Sequence, residues 1–365
     1  MSDGDNLIKT EETEEELDFK EEEIIDIKKE EDLEKIKPEL ERIEIENLKT
    51  PKLLTKITNI KFTKLEILSL NDVDITSLDF LINDNFKTLI ILELKNNNIS
   101  SIDKISKMPF KELKVLDLSF NKISSIDNLT QSNLNNLEIL IFQNNQIENI
   151  SPISTSSFPK LKKLDLSNNK ISSFSSLINN NSLQYIESLY LSDNQISDIN
   201  VLKNGIFKHL KELQLDTNKI ESIDVLEQSP SVDLEELFLY NNNIKSINAF
   251  SKANFNKLKI LNLGKNQIVD ISPFKDCNFD QLEKLDLFDN KIENIDVLEY
   301  VPFKNIEELD LSYNSLNSTD IFKKVKFTEL KELKLNGNEL LNYKGSEIQK
   351  VLDQYNIQYS YDISL

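Results

Sequence analysis

Apolar residues recur along most of the chain at a nearly constant spacing. If the first Leu of LKVLDLSFNKISSI (113–126) is position 1, apolar residues occupy positions 1, 4, 6 and 11, and usually position 14. This pattern begins twelve times, in steps of 24 residues with one step of 25, at Leu65, Leu89, Leu113, Leu137, Leu161, Ile186, Leu210, Leu234, Leu258, Leu282, Ile306 and Leu330. Alternation over positions 3–7 predicts a short strand with one buried face. The sequence therefore predicts twelve equivalent units, each contributing one strand.

Two further positions complete the unit. Position 9 is Asn in every unit except the first, where Val73 replaces it, and position 22 is Phe in eight units. The pattern resembles the leucine-rich-repeat signature L-x-x-L-x-L-x-x-N-x-L. The resemblance implies an α/β fold, a curved solenoid with one parallel sheet on its concave face. It also implies that the Asn residues bond the backbone of the turn in a ladder, and that the arcs and the Phe residues fill the core.

Within that family, the N-x-I-x-x-I-x-x-L run is similar to a short Ile-rich class. The class includes a regulatory subunit of protein phosphatase 1 and the bacterial internalins. This chain departs from the phosphatase subunit in its longer units, in the Phe at position 22 and in the form of its C-terminus. The internalins are secreted proteins, whereas the N-terminal residues MSDGDNLIKTEETEEE are acidic, unlike an export signal.

Charge divides the chain into four predicted regions. Residues 1–40 contain 17 acidic residues and 6 lysines, with few apolar residues, so we expect a mostly disordered acidic tail. Residues 41–64 are expected to form an N-terminal cap or degenerate repeat, and residues 65–343 the repeats. Residues 344–365 are expected to cap the other end with a helix and a strand, because an uncapped array exposes its core.

Composition argues against catalysis. The chain has one His (His209), one Cys (Cys277) and five glycines that form no phosphate-binding loop, so we expect no catalytic residues, metal site, cofactor or small-molecule substrate. The protein is therefore predicted not to be an enzyme. A formal charge of −20 disfavours nucleic acid as a partner. The absence of a long apolar run disfavours a membrane. We predict an intracellular protein, cytoplasmic rather than nuclear.

The resemblance implies that side chains at positions 3, 5, 7 and 8 point out of the concave face. Across the twelve units these positions hold 13 acidic and 5 basic residues, together with exposed aromatics. Aromatic residues beside charge are typical of interaction hot spots. The candidate partner-binding residues are Phe238, Tyr240, Asp286, Phe288, Asp289, Asp310, Tyr313, Asp165, Tyr190 and Asp216. A second apolar patch is expected from Ile67, Ile91, Val115 and Ile139, with Ile141 and Phe120 beside them.

The leading hypothesis is a scaffold that binds another protein, one with a basic surface, on this acidic and aromatic face. One alternative is a regulatory subunit of a protein phosphatase. The other is an acidic chaperone or buffer for basic proteins that acts through the tail. Deleting the tail distinguishes the chaperone hypothesis from the scaffold hypothesis, because binding on the concave face does not need the tail.

Overall fold

The described part of the protein forms one thirteen-stranded sheet in which the strands follow their order in the chain. The computed structural model describes residues 27–179, 183–325 and 327–338. Neighbouring strands pair in parallel, and equivalent repeat positions face each other across each pair, as Leu261 faces Leu237 and Leu285. The strands are β1 (Arg42–Glu46), β2 (Ile67–Asn71), β3 (Ile91–Glu93), β4 (Val115–Asp117), β5 (Ile139–Ile141), β6 (Lys163–Asp165), β7 (Ser188–Tyr190), β8 (Glu212–Gln214), β9 (Glu236–Phe238), β10 (Ile260–Asn262), β11 (Lys284–Asp286), β12 (Glu308–Asp310) and β13 (Glu332–Lys334).

The return segments on the other side of the core are short helices. Two are α-helices, α1 (Pro51–Asn59) and α2 (Ser151–Thr155). The rest are 3-10 helices at Glu30–Lys35, Asp79–Leu81, Asp84–Phe86, Ile105–Lys107, Asp127–Gln131, Ser175–Asn179, Asn200–Lys203, Gly205–Phe207, Asp224–Gln228, Asn248–Ser251, Ser272–Asp276, Asp296–Glu299 and Asp320–Lys323. A 24-residue unit has no room for a long helix, so single turns connect the strands.

The core lies between the sheet and these arcs, as the repeat pattern predicts. Leu116 and Leu118, at positions 4 and 6, are buried there, and so are Ile123 and Ile126 of the arc. The position-22 aromatics are also buried, at Phe86, Phe110, Phe158, Phe207, Phe255, Phe279, Phe303 and Phe327. The core is therefore continuous from one end of the described array to the other.

A ladder of asparagines ties each repeat to the one before it. Asn218 Nδ2 donates to its own repeat at Leu215 O (3.1 Å) and to the preceding repeat at Leu191 O (2.9 Å). Its Oδ1 accepts the amide of Ile196, 22 residues earlier, at 2.9 Å. Asn97, Asn121, Asn145, Asn169, Asn194, Asn242, Asn266, Asn290, Asn314 and Asn338 accept an amide from the preceding repeat in the same way. The ladder satisfies buried backbone groups that the sheet leaves unpaired.

The one exception to the Asn pattern has a local cause. Val73 occupies position 9 of the first repeat, and β1 pairs with β2 at an offset of 25 residues, so the amide that an Asn there would meet is that of Thr50. This amide donates to Leu48 O at 3.1 Å, and the Thr50 hydroxyl caps the first turn of α1. The equivalent of the amide that every later Asn accepts is therefore already used within its own turn.

The N-terminal end differs from the predicted boundary of the tail. Ile27, Leu33 and Ile36 are buried in the main core, and ion pairs connect the 3-10 helix Glu30–Lys35 to α1, including Lys52–Glu30 at 2.5 Å. Residues 27–40 therefore belong to the folded array, because the few apolar residues of this segment cover its first unit. The predicted C-terminal helix-plus-strand cap at residues 344–365 lies outside the described residues.

Candidate functional site

Four of the predicted aromatic residues lie at or just after the ends of strands β9, β11 and β12. Phe238 ends β9 and Tyr240 follows two residues later, while Phe288 and Tyr313 follow β11 and β12. The rings of Phe288 and Tyr313 meet edge to face, with centroids 5.3 Å apart. Tyr313 is 52% exposed and the other three side chains are partly exposed. We call these four residues the aromatic patch.

Position 8 has an unusual backbone conformation in every repeat. Its φ is positive throughout, at Asp72, Asn96, Phe120, Asn144, Asn168, Asp193, Thr217, Asn241, Lys265, Asp289, Tyr313 and Gly337. The cause is the ladder, since the position-8 amide reaches a carbonyl of the next repeat, as Tyr313 N reaches Asn336 O at 2.7 Å. Asn, Asp and Gly tolerate this left-handed region, whereas large side chains are strained in it. Phe120 and Tyr313 adopt this strained conformation although both side chains are exposed, so burial does not offset the strain.

Two tyrosines of the patch rest on glycines of the following repeat. A Cβ on Gly337 would lie 2.7 Å from Tyr313 Cδ1, and a Cβ on Gly264 would lie 3.0 Å from Tyr240 Cδ2. In both cases the glycine is 24 residues after the tyrosine, at the same repeat position. We call these the glycine seats. Sequence reasoning missed them, although the Tyr–Gly spacing is visible in the chain.

The aspartates beside the patch accept hydrogen bonds from backbone amides. Asp286 Oδ1 accepts the amide of Phe288 at 2.8 Å, and Asp310 Oδ1 accepts that of Ser312 at 2.9 Å. Burial, together with the nearby charge of Asp310, raises the pKa of Asp286 to about 6. These carboxylates therefore position the strand ends and also place negative charge beside the aromatic rings. Asp289, at position 8, is exposed.

Asp216 links two repeats at the edge of the patch. Its Oδ1 accepts the amide of Tyr240 at 2.7 Å. Burial raises the pKa of Asp216 to about 7, with further contributions from Asp193 and Asp286. Asp216 is thus a structural support for Tyr240 rather than a freely exposed charge.

Asp165 and Tyr190 are not on the accessible surface, contrary to the expected outward exposure. Asp165 is 0% exposed, its Oδ1 accepts the amide of Ser167 at 2.9 Å, and its Oδ2 has no hydrogen-bond partner among the described residues. Burial raises its pKa to about 6. Tyr190 is 4% exposed, donates to Glu212, and lies under Lys163 Nζ. Neighbouring side chains close over position 5 in these central repeats, which the alternation pattern could not reveal.

The residues of the second predicted patch are also buried rather than exposed. Ile67, Ile91, Val115, Ile139 and Ile141 form a cluster separate from the main core, and each is at most 7% exposed. Stacked β-branched residues shield one another along adjacent strands. Phe120 alone of the expected group reaches the surface, at 37% exposure.

Position 2, just before each strand, carries a row of alternating charges. Lys114, Glu138, Lys162, Glu187, Lys211, Glu235 and Lys259 alternate in sign, with ion pairs such as Lys211–Glu187 and Lys259–Glu235, both at 2.6 Å. The alternation breaks where Glu283 is followed by Glu307. Glu307 pairs with Lys331 at 2.7 Å, while Glu283 makes no ion pair within the described part of the chain. The break lies at the start of β11 and β12, at the opposite end of these strands from Phe288 and Tyr313.

The single His and the single Cys lie apart from this face. His209 stacks on Tyr185 with centroids 6.4 Å apart. The Cys277 thiol is buried and donates to Phe274 O at 3.0 Å, and burial raises its pKa to about 12. Within residues 27–338, apart from the undescribed gaps, no three His, Cys, Asp or Glu side chains are grouped as metal ligands. Nor do these residues include a helix of sufficient length and apolarity to cross a membrane.

Comparisons with known proteins agree with this architecture. Models of the leucine-rich repeat match residues 111–171 and 160–183, and a two-copy repeat model matches residues 87–131, 186–228, 232–276 and 256–300. No curated protein matches the chain in sequence.

Solved structures match over most of the chain. An internalin of Listeria monocytogenes (InlF) is 26% identical, with a TM-score of 0.73, covering 92% of this chain and 89% of its own. A leucine-rich-repeat protein of Leptospira interrogans is 22% identical, with a TM-score of 0.64 and coverage of 88% and 90%. The comparisons support the predicted likeness to internalins, and nothing in them supports the likeness to the phosphatase subunit. The thirteen-stranded parallel sheet, the asparagine ladder and the matched repeats together show that the chain belongs to the leucine-rich-repeat family.

Proposed function

We propose that this protein is a scaffold that binds a partner protein on its concave face, through the aromatic patch of Phe238, Tyr240, Phe288 and Tyr313. Leucine-rich repeats typically serve as protein-interaction surfaces, and a fold of this kind leaves specificity to its exposed side chains. The observation that carries the proposal is Tyr313. It is 52% exposed at a φ of 53°, so the fold gains little from a large side chain there. Strain without burial points to a role in contact.

The charges around the patch favour a basic partner. Asp289 is exposed, and the carboxylates of Asp286 and Asp310 lie beside the rings. A Lys or Arg side chain of the partner over an aromatic face would gain both cation–π and charge attraction. The internal contact of Lys265 Nζ, 6.0 Å from the centroid of the Tyr240 ring, is of the kind that a Lys of the partner would make.

The direct test replaces the four aromatics together by Ala in residues 27–365, with the unchanged fragment as a reference. The fragment starts at residue 27 because residues 27–40 are folded. We expect a partner captured by the unchanged fragment to bind the variant at least about 100-fold more weakly, because two or more hot-spot residues are removed. Unchanged affinity of such a partner would contradict the assignment to this face.

A finer variant tests the glycine seats without removing an aromatic. Gly264→Ala places a methyl group against the Tyr240 ring and Asp286 Oδ1, at 3.0 and 3.1 Å, so the ring must move. Its φ is not in the left-handed region, so we expect a small change in unfolding free energy and a measurable loss of partner affinity. Gly205→Ala is the matched control, since a Cβ there has no neighbour within 4 Å. If Gly264→Ala and Gly205→Ala bind the partner with equal affinity, Gly264 does not position the Tyr240 ring for binding.

A further inference from the structure

The turn side of repeats 2–5 is a basic surface without carboxylates. Positions 7 to 10 of these repeats cover residues 95–98, 119–122, 143–146 and 167–170, and they hold Lys95, Lys122 and Lys170 and no Asp or Glu. This contrasts with the acidic surroundings of the aromatic patch in repeats 8–11. We call these four segments, together with the Phe120 ring that they contain, the basic rim.

The lysines of the basic rim lack the close acidic partners found along position 2. Lys95 Nζ lies over the Phe120 ring, 5.4 Å from its centroid, and Lys122 Nζ donates to Asn98 Oδ1 at 2.7 Å. Neither makes an ion pair with a carboxylate in the described segments, and Lys170 reaches Glu148 only at 3.9 Å. Lys95 interacts electrostatically with the buried Asp117, but neither Lys95 nor Lys122 has a carboxylate within ion-pair distance among the described residues, so both ammonium groups stay available beside an exposed aromatic ring.

Phe120 itself indicates that the rim makes a contact. It occupies position 8 with a φ of 54° and is 37% exposed, whereas the same position in both neighbouring repeats is Asn. Asn would adopt this backbone at lower cost. The fold therefore does not account for an aromatic side chain at this place, and a ligand with both negative charge and apolar side chains would.

We propose that residues 1–26 of this chain dock on the basic rim. This segment contains 12 acidic residues and 2 lysines, and it carries Leu17, Phe19, Ile24 and Ile25 among its carboxylates. It joins the folded array at Ile27, beside the first repeat. The rim begins only two to three strands beyond β1, roughly 10–15 Å at 4.8 Å per strand. Twenty-six residues span up to about 85 Å when extended, so the segment reaches the rim without strain.

Docking of this segment would give the concave side two separate functions. Its carboxylates would neutralise the basic rim, and its apolar residues would cover Phe120. The acidic aromatic patch would stay free for a partner of opposite charge. A covalent connection raises the effective concentration of the segment at the rim, so a weak contact is enough to keep it occupied.

Zero-length carbodiimide coupling of the full chain, followed by peptide mapping, tests the contact directly. We expect amide links from the carboxylates of residues 1–26 to Lys95, Lys122 and Lys170, and loss of these links in 1 M salt, where the screening length falls to about 3 Å. Lys219, Lys265 and Lys291 lie on the same turn side in repeats 7, 9 and 10 and serve as the internal comparison. Equal linking of both lysine groups, or links that form only between two chains, would overturn the proposal.

Binding in trans supplies the quantitative test. A synthetic peptide of residues 1–26, labelled with a fluorophore, is titrated with residues 27–365. We expect Lys95→Gln/Lys122→Gln/Lys170→Gln to weaken binding about tenfold or more, and Lys219→Gln/Lys265→Gln/Lys291→Gln to leave it unchanged. Phe120→Asn should also weaken binding while keeping or raising the melting temperature, which separates contact from folding. A Phe120→Asn fragment that binds the peptide as tightly as the unchanged one would refute the role of the ring.

Discussion

At the scale of single residues, the concave face mixes side chains that support the fold with side chains that it does not need. One carboxylate oxygen accepts a hydrogen bond from a backbone amide in each of Asp216, Asp286 and Asp310, so the first role of these residues is structural. Tyr313 and Phe120 do the opposite, since they strain the backbone and remain exposed. The contrast separates residues that hold the backbone in place from residues that are available for contact with a partner.

Asp216 permits a prediction about pH. Burial raises its pKa from 3.8 to about 7, so the folded state holds the proton more tightly than the unfolded chain does. Its stabilising contribution is therefore complete below about pH 4 and is lost as the pH rises through about 7. Asp216→Asn keeps the acceptor for the Tyr240 amide, as Asn71 accepts the amide of Lys95 at the same repeat position at 2.8 Å.

We expect Asp216→Asn to raise the free energy of unfolding by about 1–3 kcal/mol at pH 8 and to change it little at pH 4. Urea unfolding of the two proteins at both pH values measures this difference. A variant that is less stable than the unchanged protein at pH 8 would show that the carboxylate charge, rather than its acceptor oxygen, supports Tyr240.

At the scale of the repeat, the asparagine ladder is the element that fixes one unit to the next. Asn218 satisfies three carbonyls, those of Leu191, Leu215 and Asp216, and one amide, that of Ile196. Asn218→Ala leaves these buried groups without partners, and we expect a loss of about 3–5 kcal/mol in unfolding free energy. Chemical denaturation measures it.

Val73 supplies the control for the ladder. Because the Thr50 amide already donates to Leu48 O, Val73→Asn gains no new acceptor contact with the preceding unit and loses a buried apolar side chain. We expect it to be neutral or destabilising, although it restores the repeat consensus. A clear gain in stability would mean that the amide of the preceding repeat is not what Asn recognises at position 9.

The repeat was also the scale at which sequence reasoning succeeded. Identical spacing over twelve units predicted the strands, the Asn ladder and the buried Phe residues, because each depends only on local pattern and on an equivalent neighbour. The spacing did not predict that Asp165 and Tyr190 are buried, nor that Tyr240 and Tyr313 pack against glycines. These depend on which side chains meet across adjacent repeats, as Tyr190 meets Lys163 and Glu212. Nor did it predict the burial of Ile27 and Leu33, because the low apolar content of residues 1–40 concealed a short segment that covers the core.

At the scale of the whole molecule, the array has two chemically different ends along one face. The basic rim lies in repeats 2–5 and the acidic aromatic patch in repeats 8–11, and the buried Asp165 and Tyr190 lie in repeats 5 and 6. Contacts run mainly between neighbouring repeats, so each end should keep its structure when the spacing between the ends changes. Deletion of central repeats tests this independence.

The row of alternating charges at position 2 determines which deletion is tolerated best. Removing residues 186–233, two repeats, places Lys162 beside Glu235 and preserves the alternation, whereas removing residues 210–233 places Glu187 beside Glu235. We expect both proteins to fold, with lower unfolding free energies, and to retain most of their affinity for a partner of the aromatic patch, with a partial loss because both lack Asp216, which accepts the Tyr240 amide. The single deletion should gain stability from added salt, because screening weakens its like-charge contact.

Removing only residues 216–227 breaks the ladder register and should prevent cooperative folding. Loss of partner binding in the folded two-repeat deletion would mean that the binding surface extends into the central repeats.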